Sequence, residues 1–183
     1  HALGWADEVI VLDKGSTDRT CAIALELGAR VHTIPFSLQG HERYEDMVAP
    51  AKTDWVWHFT PGEVPTKSCI EAGRAALSDA VDLVYVPHHY YSFGVHSGSS
   101  PWSLSYQPRL YRPAKVRFTG AAHNPIEVPK DRTTAIEYLA PSAEAKGTYV
   151  LHQTHVGPAD FIRSHSDYAI NEAAQGTAEE ALA

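Results

Sequence analysis

The sequence predicts an α/β fold: a mostly parallel sheet flanked by helices. Three observations lead there. An apolar strand, a glycine turn, a helix and a second strand follow one another between residues 7 and 34. Two more short apolar strands, Trp55–Phe59 and Asp82–Val86, are separated by a capped helical stretch. The chain has 183 residues, enough to close one sizeable core.

In order, Val9–Leu12 is an unbroken apolar run, the pattern of a strand buried on both faces. It stops at Asp13. Gly15 supplies the backbone freedom of a tight turn, and Ser16, Thr17 and Asp18 are each competent to cap a following helix. Ile23 and Leu27 lie one turn apart on that helix, and Gly28 stands where a C-terminal cap glycine belongs. Val31–Ile34 begins the next strand, so the unit is strand-helix-strand with a crossover. In such sheets ligands bind beyond the carboxyl ends of the strands, which is where Asp13 sits. Its alternative role is as part of a capped turn. A short helix is compatible with Arg43–Ala51, limited by Pro50. The Trp55–Phe59 strand runs into the turn Thr60-Pro61-Gly62-Glu63, and Thr66 can cap a helix over Lys67–Leu77. Ser105–Arg112 reads as a further strand, Gly94–Ser100 as a Gly/Ser loop, and Pro158 as the first residue of a C-terminal helix that ends in a frayed tail. The whole is expected to be one domain, 1–183, with a nucleotide-binding half (1–90), an acceptor-side half (91–157) and the helical tail (158–183).

Composition excludes several classes. A net charge of −7 and a pI of about 5.8 argue against a nucleic-acid partner. No apolar run approaches the roughly 20 residues of a membrane span, and no signal-peptide pattern is visible. Cys21 and Cys69 both fall in expected helices, as small buried hydrophobes of a reducing compartment. The 11 histidines are dispersed. His88 and His89 are strand neighbours and point to opposite faces, and His152 and His155 are separated by an odd number, so no zinc site is expected from either pair.

The order of motifs resembles a GT-A fold glycosyltransferase of family 2, in the branch of bacterial lipopolysaccharide core glycosyltransferases. The resemblance rests on Asp7–Thr20 (Asp-Glu, strand, Asp-x-Gly-Ser-Thr-Asp-x-Thr), Arg43 in Gly40–Tyr44, Thr53–Val56 (Thr-Asp-Trp-Val), Pro108–Arg112 (Pro-Arg-Leu-Tyr-Arg) and Phe118–His123 (Phe-x-Gly-x-x-His). It covers about residues 5–127. It implies inverting transfer of a sugar from a nucleotide-sugar donor to a glycan or lipid-linked acceptor. It also implies a cytoplasmic location, either free or peripheral to the inner membrane face, and the divalent Mg²⁺ or Mn²⁺ cofactor usual for the family. The chain departs from the pattern in three places. The family's Asp-x-Asp-Glu group reads Thr60-Pro61-Gly62-Glu63, one carboxylate where Mg²⁺ wants more, so no metal ligand is assigned. The family's His-Glu is His123-Asn124. Its first strand has no counterpart before Trp5, so the chain is expected to be N-terminally truncated.

The candidate residues follow. By the resemblance, Asp13 with Gly15 receives the nucleoside, a carboxylate accepting imide or hydroxyl hydrogen bonds. Arg43 belongs to the same site. Arg109 and Arg112 suit diphosphate oxygens, with surface ion pairs as the alternative. His123 is a phosphate or metal contact or a packed histidine. Glu63 and Glu127 are the candidate bases for the acceptor hydroxyl. Glu63 could instead be a residual ligand, an acceptor contact or an exposed loop acid. Tyr85, Tyr90, Tyr91, Phe93 and Trp102 could stack on a sugar or fill a core. The rival to an enzyme is a non-catalytic binding or scaffold domain derived from the same fold.

Overall fold

A computed structural model describes residues 3–36, 44–96, 98, 103–119, 126–142 and 146–155, with 157, 159, 162, 163 and 166. Arg43, Gly120, His123 and most of the expected C-terminal helix lie outside these residues.

The first unit forms as its sequence dictates. Strand β1 (Ile10–Asp13) pairs in parallel with β2 (Arg30–Thr33) across helix α1 (Thr20–Glu26). Gly15 and Gly28 take φ of +94° and +81°, conformations that cost an L side chain strain. Asp18 Oδ1 accepts from the Thr20 amide at 2.9 Å, supporting the start of α1 from two residues upstream. One expectation fails here. Ala24 is the buried residue of α1, whereas Ile23, Leu25 and Leu27 are 45–60% exposed. Seven residues are too few for a broad apolar stripe.

Helix α2 (Tyr44–Val48), strands β3 (Val56–Trp57) and β4 (Glu63–Pro65), and helix α3 (Lys67–Ala76) follow. Thr66 caps α3 as expected, its Oγ1 accepting from the Cys69 amide at 3.2 Å. Cys69 is fully buried in the core, and Cys21 is half-buried. Strand β5 (Leu83–Ser92) is much longer than its apolar start suggests, and the expected division at residue 90 falls inside it. It returns as β6 (Leu104–Tyr111). Short strands β7 (Arg117–Phe118), β8 (Ile126–Glu127) and β9 (Thr133–Ala135) lead to β10 (Val150–His155).

The fold is mixed α/β, but the sheet is not mostly parallel. The main six-stranded sheet runs β3-β6-β5-β10-β4, with β9 beside β5. Pairs β3–β6, β5–β6 and β10–β4 are antiparallel, and β5–β10 and β5–β9 are parallel. The cause is the β5–β6 connection. It spans only residues 93–103, short of the dozen or more that a parallel crossover needs, so antiparallel pairing follows. Among the described residues β1 pairs with β2 alone, and β7 and β8 form a separate ladder. No helix among them is long and apolar enough to cross a membrane.

The core positions the site. Val84 and Val86 of β5, Val150 of β10, Cys69, Leu110 and Ile136 form one buried cluster. Trp55, Trp57 and Phe59 pack against it. Strand alternation continues the Val84–Val86 face to His88 and Tyr90, and the Val150 face to His152. One face of the sheet therefore passes from apolar to polar along both strands.

Candidate functional site

Four strands meet at that polar end. Register sets Glu63 of β4 opposite His152 of β10, and Val150 and His152 of β10 opposite His88 and Tyr90 of β5. Arg109 of β6 reaches over from the far side of β5, and the residue after β3 donates His58 N–H to the Arg109 carbonyl at 2.8 Å. The β4 strand is brought into place by the turn before it. Gly62 has a φ of +87°, and its carbonyl accepts from the Gln153 amide at 3.0 Å.

Glu63 is the centre. Its side chain is 0% exposed. Oε2 accepts from the Thr60 amide at 2.6 Å, and Oε1 accepts from Arg109 Nη2 at 3.0 Å. The same Oε1 lies 3.4 Å from His88 Nε2 and 3.2 Å from His152 Nδ1. Burial pushes the carboxyl up, but contacts with His88 and Arg109 and the Thr60 N–H outweigh it and hold Glu63 down at about 2. His58 is neutral at pH 7. Burial first, then the neighbouring Arg109 guanidinium, pulls it from 6.5 to about 3, and Arg109 Nη1 faces its Nδ1 at 3.4 Å. The His152 ring stacks on Tyr90 with centroids 4.7 Å apart.

His88 is oriented from behind. Its Nδ1 lies 2.9 Å from the Val86 carbonyl, which can only accept, so Nδ1 carries the proton. Among the described residues the buried His88 Nε2 has no hydrogen-bond partner, and it points at a Glu63 carboxylate oxygen. Two imidazole nitrogens and one carboxylate oxygen thus lie within 4.8 Å of one another, a set that could hold a metal ion.

The expectation of no metal ligand did not consider this grouping. The parity argument compared neighbours on one strand. It holds for that comparison: His88 faces Glu63, while His89 faces Tyr138 at 3.0 Å on the other side. The convergence is between strands, His88 with His152, and parity says nothing about it.

The other expected site residues that the structure describes do not join this cluster. Asp13 is buried, but its carboxylate closes its own turn, accepting from the Gly15 amide at 3.0 Å and the Ser16 amide at 3.0 and 3.2 Å. The capped-turn role is therefore present, and a ligand role would be additional. Arg112 is a surface pair: its guanidinium meets Asp79 at 3.0 Å and lies 4.9 Å from the Trp55 ring centroid. Glu127 pairs with Arg117 across the β7–β8 ladder, its side chain 43% exposed. Sequence reasoning missed His58, weighed His88 and His152 only within separate pairs, and named Tyr90 only as an aromatic that could stack on a sugar or fill a core; it joined none of them to Glu63. A signal existed for two of them. His88 and His152 each stand two residues after a fully buried valine, at inward-facing strand positions where a polar side chain needs a partner.

The charge state of the site gives it a pH signature. A folded-state pKa below the unfolded one stabilises above the unfolded pKa and is lost as pH falls. His58 therefore begins to withdraw stability below 6.5, and Glu63 below 4.5. In the presence of a chelator, urea unfolding is expected to show stability falling below pH 6.5, the slope growing toward about 1.4 kcal/mol per pH unit as the unfolded His58 becomes fully protonated. His58→Gln should flatten that segment and leave the more acidic one. A profile unchanged by H58Q would show that His58 is not held neutral.

No protein-family model matches the chain, and no curated protein matches it.

Proposed function

We propose that the chain is a glycosyltransferase-like domain that binds a nucleotide-sugar donor and transfers the sugar, with inversion, to a glycan or lipid-linked acceptor. One observation carries this reading. Glu63, the one carboxylate left where the family has Asp-x-Asp-Glu, and Arg109, from the Pro-Arg-Leu-Tyr-Arg segment, are 46 positions apart and meet at 3.0 Å. A residue of a matched motif and the remnant of a lost one converge on one buried polar centre. The β1–α1–β2 unit, with Asp13 at its carboxyl end, gives further support.

The chemistry would be a direct displacement. The acceptor oxygen bonds to the anomeric carbon, the bond to the nucleoside diphosphate breaks, and a base takes the hydroxyl proton. Glu63 is unsuited as that base: a carboxylate held near 2 and sealed from water neither competes well for a proton nor meets the acceptor. Its role is structural organisation of the site. Of the two carboxylates, Glu127 remains as the candidate base. The Mg²⁺ usual for the family does not fit the residues present, because the turn offers a single carboxylate where Mg²⁺ wants more oxygen ligands.

The sealing of Glu63 favours a second reading, a non-catalytic binding domain derived from the same fold. Calorimetry with UDP-, GDP-, CMP- and dTDP-sugars, with and without Mn²⁺, separates the two when paired with a hydrolysis and transfer assay. Binding of one nucleotide class with turnover is the expected result. Asp13→Asn, which keeps an acceptor for the turn but removes the charge, should weaken that binding about 10-fold or more. Binding without turnover selects the second reading, and no binding overturns both.

A further inference from the structure

We propose that Glu63 Oε1, His88 Nε2 and His152 Nδ1 form a binding site for a zinc-type transition-metal dication, with a fourth coordination position left open. The proposal does not depend on the glycosyltransferase reading.

Geometry comes first. Ligand distances of roughly 2.0–2.1 Å around a tetrahedral ion set the ligand atoms about 3.3 Å apart. His88 Nε2 and His152 Nδ1 lie 3.4 and 3.2 Å from Glu63 Oε1, and all three atoms fall within 4.8 Å of one another. The two separations from Oε1 are those of a coordination shell. The His88–Glu63 separation is also longer than a good hydrogen bond.

Orientation is the second argument. His88 Nδ1 is held by the Val86 carbonyl at 2.9 Å, which turns Nε2 toward Glu63 Oε1. The side chains of His88 and Glu63 are 1% and 0% exposed, so an ion held between them would be shielded from bulk water. A ligating histidine whose other nitrogen is held by a backbone carbonyl is the usual outer-shell arrangement of a metal site.

Arg109 fits the same picture. It donates to Glu63 Oε1 from the side of β6, as outer-shell donors do to a ligating carboxylate. The ligand set selects the ion. Two imidazoles with one carboxylate suit zinc and neighbouring transition metals, whereas Mg²⁺ demands oxygen ligands. Three protein ligands are also one fewer than a closed structural zinc site uses. His152, whose side chain is 17% exposed, lies on the side from which an ion and a fourth ligand can arrive.

The test uses the 183-residue chain stripped of metal by a chelator and dialysed. Titration with Zn²⁺ is expected to give 1:1 binding and to raise the thermal midpoint. Co²⁺ should produce the visible absorption of a four- or five-coordinate ion, and Mg²⁺ should give neither signal. His88→Gln and His152→Gln should each weaken Zn²⁺ by more than the roughly 10–100-fold of an outer-shell change. His32→Gln, at an exposed position on β2, should leave it unchanged. Circular dichroism checks that each variant is folded. If either histidine variant misfolds, the wild-type cobalt spectrum decides, since octahedral cobalt is nearly colourless. Absence of 1:1 binding by the stripped wild-type chain overturns the proposal. So does affinity retained in folded H88Q and H152Q variants, because the cluster would then be held together by a proton rather than a metal.

Discussion

Arg109→Leu is expected to destabilise the chain by about 3–5 kcal/mol near pH 7. The substitution removes the one guanidinium that faces Glu63 in the described structure, and it leaves an ionised carboxylate whose side chain is 0% exposed. Arg109 itself keeps 12% of its side-chain surface, so the loss should fall toward the lower end of that range. The double variant Arg109→Leu/Glu63→Leu should recover much of it, since replacing both members of a buried pair avoids the stranded charge. Urea unfolding of the four members of the cycle measures the coupling. A single-variant loss under 1 kcal/mol would mean that Glu63 is not held as a buried anion, and the description of the site would fail with it.

Gly62→Ala should cost about 2–4 kcal/mol and weaken zinc binding without altering any ligand. Two effects add. The residue sits at φ +87°, where an L side chain costs about 1 kcal/mol. A Cβ there would also lie 2.6 Å from the backbone carbonyl oxygen of Gln153, a contact that only a shift of β4 against β10 can relieve, at about 1–3 kcal/mol. That shift separates Glu63 from His152. Gly15→Ala is the matched control. Its φ is +94°, but a Cβ would meet nothing within 4 Å, so only the backbone strain applies. Equal thermal shifts for the two variants would show that the close approach of Gly62 to β10 is not rigid.

Much of the local structure was legible in the chain. The β1–α1–β2 unit, the Gly15 turn, the Gly28 ending of α1, the Thr66 cap and the buried Cys69 all follow from residues close in sequence. Glu63 and Arg109 were singled out individually, and they do meet. Of the two roles open to Asp13, the capped turn is present, with two amides of its own turn on its carboxylate. The sheet seemed mostly parallel because its apolar runs were counted without their pairing, and the β5–β6 return made it mixed. Metal ligation was weighed strand by strand, which leaves out groupings between strands.

The sequence by itself determined which residues could turn, cap, alternate and carry charge, because those preferences are set by a residue and its neighbours within a few positions. Only the tertiary structure decided that Glu63, His88 and His152 surround one point. Their spacings of 25 and 64 positions have no local meaning. They acquire one through strand register: β4 and β5 lie on either side of β10, and the hydrogen-bond ladder fixes which residue faces which.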